Sequence, residues 1–250
     1  MANDGKFPSE IIDLPSGGKV YPKDSPLADG KLEIKYMTAK EEDILTSQNL
    51  IKKGVVIEKL LESLIVTPGV NVNDLLVGDK NAVMIAARIL AYGPEYTCNV
   101  TLPTTGETIQ HTFNLADCPF KNIDAKIDKN LFEIELPVSK KKIKFSILTG
   151  REEILIAKDL KASEKTGSQI IPELTTRLRY VIKEVDGDST PSTINQTAQN
   201  ILSRDSMFLR EELSKVSPDI DMSQEIEIEG DTVKVEIPMT VGFFWPEAGK

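Results

Sequence analysis

Met37-Thr-Ala-Lys-Glu-Glu42 and Leu148-Thr-Gly-Arg-Glu-Glu153 are the same phrase written twice in one chain. In each, a threonine stands three places before a glutamate. The Thr hydroxyl can accept from the N3 amide while the Glu carboxylate reaches back to the Thr amide, which is the reciprocal arrangement of a capping box. Both phrases therefore predict a helix start. Both also follow a run that alternates apolar and polar residues, Lys31–Met37 in one case and Lys141–Leu148 in the other, which reads as a half-buried strand. Strand, cap and helix thus occur twice.

Upstream of the first cap, Pro8, Pro15, Pro22 and Pro26 with Gly5, Gly17, Gly18 and Gly30 make residues 1–30 an extended or looped arm, with room for a short strand at Glu10–Leu14. Downstream, a helix runs to about Lys53, where Gly54 breaks it, and a second covers Val55–Val66. Thr67-Pro-Gly69 is a turn. A third helix, Asp79–Tyr92, carries Ala82, Ile85, Ala86, Ile89 and Leu90 on one face and stops at Gly93-Pro94. Glu95–Leu102 and Glu107–Leu115 then alternate as the arms of a hairpin turning at Pro103–Gly106, which sets Cys98 opposite His111 or Thr112.

The second half runs in the same order. Leu131–Leu136 and Lys141–Leu148 form a hairpin around Val138-Ser-Lys140, and the second cap opens a helix to about Ala162. Ile170–Val185 is helical in pattern, as are Ile194–Leu202 and Arg204–Val216, and Glu225–Ile228 with Thr232–Met239 makes a closing hairpin at Gly230-Asp231. Shorter matches accompany the caps: Leu14-Pro-Ser16 with Leu136-Pro-Val138, and Leu76-Val-Gly-Asp79 with Leu202-Ser-Arg-Asp205. Such correspondence is the mark of an internal repeat. The expected fold is α+β in two tandemly duplicated lobes, each with strands, a helical segment and a terminal hairpin. Its divisions are an arm over 1–30, a first lobe over 31–125 and a second lobe over 126–250 that ends in an aromatic tail.

The chain has 250 residues, enough for one large domain or two small ones. Its net charge of −9 is shared by both halves, which argues against binding nucleic acid by phosphate neutralisation. The only histidine is His111, so His-His metal sites are excluded and a Ser-His-Asp triad is disfavoured. Cys98 and Cys118 are too few for a four-thiolate zinc site, read as buried free thiols, and suit a reducing compartment. No apolar signal core opens the sequence and no run is long enough to span a membrane.

Motifs of catalysis are likewise missing: no GxGxxG, P-loop, HExxH or GxSxG occurs. Glu41-Glu42 and Glu152-Glu153 resemble paired catalytic carboxylates, but acids in a helix's first turn complement the macrodipole and fit better as caps. Asp186-Gly-Asp188 and Asp219-Ile-Asp221 lack EF-hand spacing and read as solvated loop charges. The closing Gly242-Phe-Phe-Trp-Pro246 holds the only tryptophan. Its Phe243, Phe244 and Trp245 are either tucked into the core or an anchor for a partner, since such side chains dominate interface hot spots.

Several stretches carry a family resemblance. In the second half these are Phe132-Glu-Ile-Glu-Leu-Pro137, Ile143–Leu148 leading into Thr149-Gly-Arg-Glu-Glu153, Thr175-Thr-Arg-Leu-Arg-Tyr180, Ser203-Arg-Asp205 and Ile237-Pro-Met-Thr-Val-Gly-Phe-Phe-Trp-Pro246. A related signature in the first half comprises Leu14-Pro-Ser-Gly-Gly-Lys-Val-Tyr-Pro22, Met37–Leu45, Leu75-Leu-Val-Gly-Asp79 and Ala91-Tyr-Gly93. Together they resemble the base-plate protein family of T-even-like tailed bacteriophages. The resemblance implies a non-enzymatic part in building the central hub of a contractile-tail base plate, by recognition of other hub or tail proteins. It implies no cofactor, nucleic acid, membrane or small-molecule substrate, and assembly in the host cytoplasm. Many relatives carry a Cys-Pro-x-Cys-Gly knuckle at the hairpin tip, a half zinc ribbon. Here that stretch is Leu102-Pro-Thr-Thr-Gly106, with both cysteines replaced, so no zinc is expected.

Two versions of this role differ in timing. A structural subunit stays in the mature particle, and an assembly chaperone leaves before it is complete. A reading of another class, an enzyme built from scattered carboxylates, requires a concave pocket lined by Asp and Glu with raised pKa values.

Overall fold

The computed structural model describes residues 8–103, 105–124, 126–165, 170–228, 230–239 and 243–244. The fold is mixed α and β, with the strands gathered in small antiparallel sheets. The chain opens with β1 (Ser9–Asp13), which pairs with β2 (Lys31–Lys35) so that Ile12 faces Leu32. The Pro/Gly-rich stretch between them is a turn-rich loop that buries Leu14, Val20 and Leu27. The first helical region is α1 (Ala39–Thr46) and α2 (Gln48–Lys53), followed by α3 (Val56–Leu64) and α4 (Val77–Tyr92). The single helix expected over 38–53 is thus two. Ser47 takes extended dihedrals (ψ 105°), and Thr46 Oγ1 back-bonds to the Glu42 carbonyl at 3.0 Å, a local competitor that bends helices.

The hairpin β3 (Glu95–Thr101) and β4 (Thr108–Asn114) has the expected register, with Cys98 opposite His111. A two-residue strand β5 (Phe120–Lys121) follows. Beyond it come β6 (Phe132–Glu135), β7 (Lys142–Phe145), α5 (Gly150–Lys165) and α6 (Glu173–Val181).

Residues 182–185 correct the sequence reading. They were expected to continue a helix from Ile170, and instead form β8 (Ile182–Val185), the third strand of a β6-β7-β8 sheet. Ile182 and Val185 are buried there, and β-branched side chains suit a pleated, half-covered surface better than a helix. The first half has the same junction in shorter form: Ile65, directly after α3, bridges Ile34 of β2. That pairing cannot lengthen because Thr67-Pro-Gly69 follows, and proline has no amide to donate.

The chain continues through α7 (Pro191–Asn200), α8 (Ser203–Val216), β9 (Asp219–Ile220), β10 (Ser223–Ile228) and β11 (Asp231–Glu236). Two main cores result. One is built by the first half, from Leu14 to Cys118, and also takes in Ile220, Ile226, Val233, Val235, Ile237, Phe243 and Phe244. The other runs from Leu136 to Leu209 around Ile143, Phe145 and Leu178. A small cluster of Val20, Leu76, Ile123 and Ile147 lies between them, sharing Tyr21 with the first core and Phe132, Leu213 and Val216 with the second. The closing hairpin therefore packs on the first core and not on the helices that precede it.

Candidate interaction surface

In each pair that predicted a helix start the glutamate reaches back to the threonine amide. Glu41 accepts from the Thr38 amide at 2.9 Å and its hydroxyl at 2.6 Å, and from Lys35 Nζ at 2.8 Å and Ser63 Oγ at 2.7 Å. Burial by itself would raise this carboxyl, but the Lys35, Ser63 and Thr38 hydrogen bonds outweigh it and hold it down at about 2. Glu152 accepts from the Thr149 amide at 3.0 Å and from its hydroxyl. Burial raises this carboxyl too, and the Thr149 bonds with the charge of Lys183 bring it below its ordinary value. Glu153, the other member of that pair, is ion-paired to Arg177.

The other repeated phrases meet in space. Asp79, third residue of α4, accepts from the Ser16 amide at 2.9 Å and the Tyr21 hydroxyl at 2.7 Å. Asp205, third residue of α8, accepts from the Val138 and Ser139 amides at 2.8 and 3.0 Å. Leu14-Pro-Ser16 and Asp79 are thus two ends of one tether, as are Leu136-Pro-Val138 and Asp205. Each carboxylate binds backbone from a distant turn while sitting where the helix dipole favours negative charge.

The two halves meet along a seam. The Val77 amide donates to the Leu148 carbonyl at 3.1 Å and the Gly150 amide to the Leu75 carbonyl at 3.0 Å, so the starts of α4 and α5 lie side by side. Arg151 is ion-paired with Asp74 across the same line. Gly78 allows the closest approach: a Cβ added there would lie 1.8 Å from the Pro218 carbonyl oxygen. Past this point β5 pairs with β9, Asn81 Nδ2 donates to Asp219 at 3.1 Å, and Lys121 Nζ donates to the Ser214 carbonyl.

A groove of about 1060 Å³ opens beside this seam. Its walls come from β5, from β9 and the turn after it, and from β11 and the residues that follow, and exposed Phe120 and Met239 stand on it with Lys121, Lys234, Asp221 and Glu236. Asp221 is held below the ordinary carboxylate range by hydrogen bonds from the Ser223 hydroxyl and amide. Asp79 has its pKa raised, chiefly by burial, and it lies in the interior with both oxygens engaged and not in the groove.

Phe243 and Phe244 are 2% and 4% exposed. Phe243 meets Tyr96 edge-on at 5.2 Å and Phe244 at 5.1 Å, and the Tyr96 hydroxyl donates to the Pro238 carbonyl at 3.1 Å. The two phenylalanines are core residues that secure the chain after the last hairpin. Trp245 lies outside the described residues. Cys98 and Cys118 are free and buried, and burial pushes the Cys98 thiol up to about 11. His111 rests edge-on against Phe113 at 4.7 Å. Among the described residues, no group of three or more His, Cys, Asp and Glu is placed to hold a metal ion, and no helix is long and apolar enough to cross a membrane.

Two features escaped the sequence reading. Arg88 is buried on α4, donating to the Gly93 and Glu95 carbonyls at 3.0 and 3.2 Å with its guanidinium 5.0 Å from the Tyr92 ring centre. The groove is the other. An arginine amid the apolar positions of a helix was the available signal for the first. The second joins residues about a hundred positions apart and has no local signal.

A family model described as T4 bacteriophage base plate protein matches residues 8–135. The match covers just over half of the chain, and the chain belongs to that family. It takes in the Leu14–Pro22, Met37–Leu45 and Leu75–Asp79 signatures and ends with β6, the first arm of the second hairpin. No curated protein and no solved structure matches the chain.

Proposed function

We propose that this chain is a non-enzymatic component of the base-plate hub of a contractile-tailed phage, acting by recognition of other hub or tail proteins while the tail is assembled in the host cytoplasm. The observation that carries the proposal is the family match over residues 8–135. The groove at the seam supports it, because exposed aromatic and methionine side chains such as Phe120 and Met239 are the kinds enriched in protein contacts.

In this proposal the chain is an arm over 1–30 and tandem copies over 31–125 and 126–250, with the last hairpin of the second copy laid onto the core of the first. The paired caps at Thr38 and Thr149 and the paired tethers at Asp79 and Asp205 support a duplication. The closing aromatic run divides its labour: Phe243 and Phe244 root it in the core, and Trp245 supplies the partner contact.

The test is a pull-down of purified hub proteins with the full chain, with Phe120→Glu and Met239→Glu in the groove, and with residues 245–250 removed. Capture by the full chain that falls in these variants supports the proposal. Failure to capture any hub protein sinks it, and capture unchanged by deletion of 245–250 removes Trp245 from the contact. Mass spectrometry of purified virions separates a subunit, present in stoichiometric amount, from a chaperone that has left.

A further inference from the structure

The chain carries a net charge of −9, yet one face runs the other way. Ile154, Leu155, Lys158, Lys161 and Lys165 are exposed on α5 and recur at helical spacing, so they share one side. The exposed acid of this helix, Glu164, stands three residues after Lys161 at the edge of that side, where the three lysines outnumber it. Glu152, Glu153 and Asp159 are engaged by Lys183, Arg177 and Arg179. A Cβ placed on Gly54 would lie 3.5 Å from Lys161 Nζ, so that ammonium sits at the end of α2, where Ile51, Lys52 and Lys53 are also exposed. Lys52, Lys53, Lys158, Lys161 and Lys165 make no ion pair among the described residues.

The corresponding helix of the first half supplies a control. Five residues after its cap threonine, α1 exposes Asp43, and five residues after Thr149, α5 exposes Ile154. A solvated helix has no use for isoleucine at a site where the other half is content with aspartate. The apolar exposure also extends along the chain: of fourteen large apolar residues exposed among the described residues, five fall within 154–174.

We infer that the basic and apolar face shared by α2 and α5 docks an acidic protein segment that presents apolar side chains at helical spacing. Charge complementarity selects the sign of the partner, and the apolar residues select its kind. A nucleic acid would leave Ile154 and Leu155 unused and meet the repulsion of a net anionic chain. An anionic membrane would meet the same repulsion, at a face without the aromatic residues that settle helices into an interface.

The probe is a synthetic amphipathic peptide of Glu and Leu, with the same peptide carrying Lys for Glu as a control. Its binding to the full chain is followed by fluorescence anisotropy. The acidic peptide is expected to bind, more weakly as salt rises, and the basic control is not. Ile154→Asp and the double variant Lys158→Glu/Lys161→Glu should each weaken binding by about tenfold or more with circular dichroism and melting unchanged, since these side chains are exposed. Equal binding of both peptides, or binding indifferent to both variants, overturns the inference. So does a preference for phosphatidylglycerol vesicles or single-stranded DNA. Self-association abolished by Ile154→Asp, seen by sedimentation, also overturns it by assigning the face to a second copy of the chain.

Discussion

Asp79 and Asp205 hold the same place in their helices, and their surroundings turn them in opposite directions. Both are buried, and burial opposes charge on both. Asp205 meets two backbone amides, which outweigh burial and lower its pKa. Asp79 meets one amide and the Tyr21 hydroxyl, with Asp219 adding repulsion, and its pKa is raised. Tyr21 is itself pushed up, first by burial and then by the Asp79 charge. One architectural position is therefore a charge clamp in the second half and a strained charge in the first. Burial prevails at Asp79 and is outweighed by the amide bonds and the Arg204 charge at Asp205, and that balance makes the difference.

The sharpest way to break the pairing of the halves is at their seam. Gly78→Ala sets a Cβ against the Pro218 carbonyl, backbone against backbone, and should destabilise the protein by about 3 kcal/mol in denaturant unfolding. Gly150→Ala is the partner experiment. Its Cβ would come to 3.0 Å from Asn73 Cα, a contact that small shifts relieve, so the loss should be about 1 kcal/mol. Equal losses would mean that the seam yields as easily at α4 as at α5.

Asparagine substitutions test the clamps next. Asp205→Asn must turn an amide N–H toward a backbone N–H, and should cost about 2 kcal/mol. Asp79→Asn removes an ion disfavoured where it sits and can donate to Tyr21, so about 1 kcal/mol or less is expected. The pH dependence of the two should run in opposite senses. Asp205, with its folded pKa lowered, contributes stability above its unfolded pKa and loses it as pH falls through the folded value. Asp79, with its folded pKa raised, contributes stability below its unfolded pKa and loses it as pH rises through the folded value. On acidification from neutral pH, the deficit of Asp205→Asn should shrink and that of Asp79→Asn should grow. Parallel melting curves for the two variants would contradict the assignment.

The caps make the smallest comparison. Glu41→Gln loses a buried carboxylate bound by Lys35, Ser63 and Thr38, and about 1.5 kcal/mol is expected. Glu152→Gln, whose lysine stands 3.5 Å away, should cost about half as much by thermal melting. A larger loss at Glu152 would reverse the ranking of the two caps.

What was legible in the sequence was local. The capping boxes, the end of α4 at Gly93 and the hairpin register at Cys98 and His111 depend on neighbours a few residues away or on one turn, and periodicity reports those. The tethers were half legible: their ends appeared as repeated phrases, but Ser16 and Asp79 stand 63 residues apart and nothing in either phrase names the other.

The sequence by itself determined an acidic α+β chain with paired helix starts and paired hairpins. It could not determine that Ile182–Val185 would be a strand, because helix or strand there depends on the open edge of β7, and the tertiary structure supplies that edge. Nor could it place the last hairpin and Phe243 on the core of the first half, or reveal the groove between them. Those arrangements minimise exposed apolar surface across the whole chain, and burial is non-directional, so apolar residues specify that they will be covered but not by what.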